Sequence, residues 1–150
     1  MRIDRLTTKT REALIAAQQL AADRGHPEVY PEHFLVALLA PADGVAAAVL
    51  TKAGSDPKAV SAEAARALGN KPTVQGGDEA SLSRRVRDIL TESWKQTESF
   101  GDEYTSAEHV LLAITKLLGN DPTEVICRSF TPEGSIVEQF ARIDLQYPHA

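Results

Sequence analysis

Glu32-His33 and Glu108-His109 each open an apolar stretch, PEHFLVALL at 31–39 and AEHVLLAIT at 107–115, and the two pairs stand 76 residues apart. The same offset sets Leu6 on Leu82, Arg11 on Arg87, Leu14 on Leu90 and Gly25 on Gly101. It also sets Leu35 on Leu111, Ala37 on Ala113, Val49 on Val125 and Ala65-Arg66 on Ala141-Arg142, without a gap. The matches fall on helix stops, helix starts and core stripes, where the physical demands on residue type are strictest. They constrain the chain to one module written twice. Two copies are too few to stack as a solenoid, so a closed pair sharing one core is expected.

Apolar spacing within the first copy predicts a helix over 8–23, with Thr7 as its cap and Gly25 as its stop. A second helix over 31–39 carries Pro31 in its first turn, where a missing N–H costs little. A third covers 45–52, and Asp56-Pro57 opens a fourth that ends near Leu68. Residues 69–80, GNKPTVQGGDEA, read as a linker. The stripe Leu82, Val86, Ile89, Leu90, Ser93, Thr97 and Phe100, followed by Gly101, predicts the next helix. Thr105 and Glu108 have the spacing of a capping box ahead of a helix over 110–118. Two more helices are expected, one opened by Asp121-Pro122 and one over 133–143, with 146–150 as a tail. No stretch alternates as a strand would. The expected fold is therefore all-α, about eight helices in two halves, 5–68 and 81–145.

With 43% apolar and 25% charged residues the balance is that of an ordinary globular domain. A net charge of −5 argues against a nucleic-acid surface, which needs clustered Lys and Arg. The lone Cys127 excludes a disulfide framework and a cysteine zinc site, and reads as a small buried apolar group. No apolar run approaches the roughly 18 residues of a membrane span, and the polar start lacks a signal-peptide core, so a cytoplasmic location is expected. There is no G-x-x-x-x-G-K-[ST] loop, no G-x-S-x-G and no H-E-x-x-H, which disfavours ATP hydrolysis or a small hydrolase activity by this chain.

The opening RIDRLTTKTREAL, the YPEHFLVALL helix and the second TSAEHVLLAI block resemble the N-terminal domain of the Clp AAA+ unfoldases over roughly residues 1–145. The MRIDRLT start is most similar to the disaggregase branch of that family. The resemblance implies a pseudo-twofold pair of four-helix repeats, carried on a flexible linker ahead of two ATPase modules in a ring hexamer. It implies binding of exposed segments of unfolded or aggregated proteins, and in some relatives docking of adaptor proteins. ATP and Mg²⁺ would belong to the parent's ATPase modules, and no cofactor to this chain. The chain stops before any such module, which makes it either a cut-out domain or a stand-alone protein.

The resemblance maps family substrate contacts onto Thr7, Asp102 and Glu108. It also matches Glu32 and Glu108 to an acidic pair that some relatives use to grip phosphorylated arginine. Each residue has a plainer role. Thr7 caps a helix. Glu32 and Glu108 complement a positive helix end. Asp102 suits a turn. Trp94, one turn after Leu90, is either edge packing or, with Leu90, the wall of an apolar peptide groove. His33 and His109 invite a metal reading, but adjacent Glu and His point about 100° apart on a helix and do not easily grip one ion. A histidine packed or hydrogen-bonded at a helix start is the simpler expectation.

Overall fold

The computed structural model describes residues 3–52, 54, 56–74 and 80–117. Six α-helices lie among them: α1 (Thr8–Asp23), α2 (Pro31–Leu39), α3 (Val45–Lys52), α4 (Pro57–Leu68), α5 (Arg84–Ser99) and α6 (Ala107–Lys116). The later helices expected after Asp121 and over 133–143, the tail and Cys127 lie outside the described residues, as does part of 69–80.

The helix boundaries follow local chemistry. Thr7 Oγ1 accepts the Thr10 N–H at 3.2 Å, and Asp56 Oδ1 accepts the Lys58 N–H at 3.0 Å, so α1 and α4 begin on side-chain caps. Ser83 does the same for α5, accepting the Val86 N–H at 3.2 Å. Gly25 and Gly101 stand just past α1 and α5, both at φ +73°, a conformation glycine adopts without strain.

One expected boundary shifts. The capping box of α6 is formed by Ser106 and His109, not by Thr105 and Glu108. Thr105 is committed elsewhere: its N–H donates to the Arg5 carbonyl at 2.7 Å and its carbonyl accepts the Thr7 N–H at 2.9 Å. Its hydroxyl lies 2.7 Å from Thr97 Oγ1, inside the protein. A residue bonded on all sides across the fold has nothing left for a cap, so the cap falls one residue later, on Ser106.

The expectation of no strands also needs correction. β1 (Glu28–Val29) pairs in parallel with β2 (Ser81–Leu82), Val29 opposite Leu82. Two residues are too short to show alternation in sequence. The pairing exists because the segment ahead of α5 is laid against the segment ahead of α2. Adding 76 to one residue of that pair and removing it from the other gives a second parallel bridge, Leu6 opposite Thr105. Each half thus lends the backbone before its first helix to the backbone before the other half's second helix.

Among the described residues the halves repeat element by element. α1 and α5 are both 16 residues long, starting at Thr8 and Arg84, and α2 and α6 start at Pro31 and Ala107. α2 packs on α1 and α4, as α6 packs on α5, and α3 reaches across to α6. The core is continuous through both copies, with Ala17, Ala21, Phe34, Leu35, Val60, Val86, Ile89 and Val110 wholly buried. On α5 the buried stripe turns polar, and the backbone satisfies it: Ser93 Oγ donates to the Ile89 carbonyl at 2.6 Å and Thr97 Oγ1 to the Ser93 carbonyl at 2.9 Å. The described part of 69–80 is docked, since the Val74 N–H donates to the Gly25 carbonyl at 2.7 Å.

Candidate functional site

The strand exchange builds two related sites, each at the start of a second helix and each made from both halves. At the start of α6, the Thr7–Thr105 backbone bond draws Thr7 to a segment that has Asp102 and Glu108 within three residues on either side. At the start of α2, the Ser83 N–H donates to the Val29 carbonyl at 3.1 Å, and Ser83 faces Glu32 across a cleft of about 400 Å³. Lys71, Arg84 and Arg85 line the same cleft.

An imidazole organises each start. His33 Nδ1 accepts the Tyr30 N–H at 2.8 Å, and His109 Nδ1 accepts the Ser106 N–H at 2.9 Å. Both histidines stand at the third helical position and reach back to cap the chain entering the helix, the reciprocal half of a capping box. A nitrogen that accepts carries no proton, so the proton resides on Nε2 in each ring. There the two halves part. His33 Nε2 donates to His26 Nδ1 at 2.8 Å, whereas His109 Nε2 donates to Asp102 Oδ2 at 2.9 Å. His26 and Asp102 are 76 residues apart, so they are the same position of the repeat.

Electrostatics at the α2 start follow from burial. Desolvation comes first in holding His33 down to about 4, with His26, Arg24 and Lys71 adding to it. His26 is lowered by burial and then by Arg24, against a hydrogen bond to the backbone of Leu68. Tyr30, whose ring stacks on His33 at 5.6 Å, is raised by burial and then by Glu28 and Glu32. Glu32 itself is 1% exposed, with Lys71 Nζ 3.5 Å from its Oε2. Lys71 also lies over the Tyr30 ring at 4.7 Å and so covers the carboxylate.

Three of the six candidate residues are therefore brought together: Thr7, Asp102 and Glu108. Asp102 is mostly occupied in orienting His109, and Glu108 is half-buried. Glu32 sits at the other start, beneath Lys71. Leu90 corrects the expectation of a groove wall: at 3% exposure it belongs to the core, because its place on α5 faces the shared interior. Trp94 is half-buried on α5. The exposed apolar groups near Thr7 are instead Ile3, Phe100 and Tyr104, with Arg5 over the Tyr104 ring at 5.6 Å and Phe100 5.9 Å from the His109 ring. Ser83 and His26 were legible by the offset, as partners of Thr7 and Asp102. Lys71 carries no local signal, since only tertiary packing brings it to Glu32. Among the described residues no cluster of three or more His, Cys, Asp or Glu is placed to hold a metal ion.

Residues 5–120 match the family model described as the Clp repeat (R) N-terminal domain. The chain belongs to the Clp N-terminal repeat domain family. It is similar to the chaperone protein ClpB of Corynebacterium efficiens, 45% identical over 112 residues, which is 73% of this chain and 13% of that protein. The chain thus spans a small part of the length of the curated relatives it matches. Its fold is similar to the Hsp104 N-terminal domain from Candida albicans, at TM-score 0.78 and 20% identity, covering 96% of this chain and 93% of that one. It is likewise similar to a ClpV N-domain solved in complex with a VipB peptide, at TM-score 0.67 and 22% identity, covering 95% of this chain and 83% of that one. No helix of the described residues is long and apolar enough to cross a membrane.

Proposed function

We propose that this Clp N domain is the substrate-recognition module of a ClpB-like ATP-dependent disaggregase and binds exposed segments of unfolded or aggregated proteins. The observation that carries this reading is the seam at the Leu6–Thr105 bridge. Ile3, Phe100 and Tyr104 are exposed there beside the polar groups of Thr7, Asp102 and Glu108. An extended polypeptide would lay apolar side chains on the former and its amides or basic groups against the latter. Affinity at one such patch would be weak and tolerant of sequence. Copies arrayed on a hexamer would raise it through effective concentration, with ATP and Mg²⁺ handled by other modules of the parent protein.

The test is titration of labelled casein, as an unfolded substrate, into the chain and into the Tyr104→Ala/Glu108→Gln variant. Binding should weaken severalfold while the circular dichroism stays that of the parent. Equal binding by the two proteins rejects this site.

A second reading is docking of one folded adaptor; the ClpV N-domain solved with a VipB peptide is a domain of this fold holding a defined partner segment. An adaptor would bind with fixed stoichiometry and would not compete with many denatured chains. Recognition of phosphorylated arginine is a narrower form of this reading. The Glu32 cleft, with Lys71, Arg84 and Arg85, would suit a phosphate and a guanidinium together once Lys71 gave way. Competition of casein binding by phosphoarginine separates it from the first reading.

A further inference from the structure

We infer that His26 and His33 form a proton-sensitive latch that joins the start of α2 to the end of α4, and that the second half of the domain lacks it. The latch is a chain of donors with one direction. The Tyr30 N–H donates to His33 Nδ1, and His33 Nε2 donates to His26 Nδ1. The remaining nitrogen of His26 is left for the backbone of Leu68, in the last turn of α4. Both rings are buried, His33 completely and His26 at 4% exposure. Every nitrogen of the pair has one role. A proton added to His33 Nδ1 removes the acceptor that caps α2. A proton added to His26 Nδ1 sets two donors face to face at 2.8 Å.

The surroundings oppose an added proton from several sides. Arg24, following α1, bonds the Ala65 carbonyl at 3.3 Å and acts on both rings. Lys71, following α4, also acts on both. Tyr30 lies against both rings, and Glu28 and Glu32 act on Tyr30. Arg84 and Arg85 of α5 line the cleft beside Tyr30 and Glu32. On α4, Glu63 and Arg66 pair with each other in solvent, and on α3 Lys52 is exposed in the last turn. In the second half the partner of His109 is the Asp102 carboxylate, which would still accept from a charged ring. The first half offers an imidazole and two cations instead.

Both first-half rings bind protons less readily in the folded chain than in the unfolded one. The stability they contribute is complete above about 6.5 and is lost as the pH falls, for His33 toward about 4. Mild acid should therefore loosen the α2 start and the α4 end. This holds whatever the domain binds.

The test is urea unfolding of the 150-residue chain between pH 7 and 4.5, beside the His26→Asn variant, which keeps an acceptor for His33 and removes one titrating ring. His33 held neutral raises the unfolding constant by up to about tenfold for each unit the pH falls between about 6.5 and about 4, and His26 adds to that slope. The variant should show a shallower acid slope than the unmodified chain. Nitrogen NMR of the unmodified chain at pH 5.5 should show His33 neutral with its proton on Nε2. Amide protection at Tyr30 should fall on further acidification. An imidazolium at His33 at pH 5.5, equal acid slopes for the two proteins, or Tyr30 protection unchanged by acid would overturn the latch. If the variant does not fold, the spectra and exchange of the unmodified chain decide.

Discussion

Gly25 and Gly101 hold the same left-handed φ, but their surroundings differ. A Cβ at Gly101 would meet nothing within 4 Å, whereas at Gly25 it would stand 3.2 Å from the Val74 carbonyl oxygen. Gly101→Ala should cost about 1–2 kcal/mol, the strain of the backbone alone. Gly25→Ala should cost more, about 2–3 kcal/mol, because the 73–74 loop must also move. Urea midpoints of the two variants check the order. Equal losses would mean that the Val74 contact yields freely. Sequence alone makes the two glycines equivalent, since they share an offset and a role. Only the docked loop distinguishes them. His26 and Asp102 are likewise paired by the offset, and only the tertiary structure shows that each engages Nε2 of the histidine on the next helix.

At the scale of elements, the helix starts carry most of the specificity. Thr105 illustrates how a start can be misread from spacing. Its hydroxyl is buried and donates to Thr97 Oγ1, because the Thr97 proton is already given to the Ser93 carbonyl. Thr97→Val therefore strands two groups, the Thr105 hydroxyl and the Ser93 carbonyl, and should cost about 1–3 kcal/mol. Thr105→Val leaves the Thr97–Ser93 bond in place and should cost less, about 0.5–1.5 kcal/mol. Thermal unfolding of both variants gives the comparison, and a larger loss at Thr105 would reverse the donor order assigned to the pair. The bounds of α1 to α4 were readable because caps, prolines and glycines act within a few residues. The start of α6 was not, because the competing claims on Thr105 come from Arg5, Thr7 and Thr97.

Across the whole molecule, the exchanged bridges and the α3–α6 contact join the two copies, so they are expected to unfold as one cooperative unit. Phe34 lies in the first half and is wholly buried, and Trp94, the single tryptophan, lies in the second. Phe34→Ala should cost about 3–5 kcal/mol, and near neutral pH the midpoint seen by Trp94 fluorescence should fall together with that seen by circular dichroism. A Trp94 transition left in place would mean that the halves unfold separately. The sequence by itself determined the doubled helical architecture, the family and the ends of the early helices, because periodicity, capping and turn chemistry are local and the offset repeats them. Tertiary structure alone decided that each half lends backbone to the other, that Leu90 is core, that Lys71 covers Glu32, and that one helix start rests on paired imidazoles while its twin rests on a carboxylate. Those outcomes depend on which distant groups share a desolvated space, where a single proton or charge is costly to misplace.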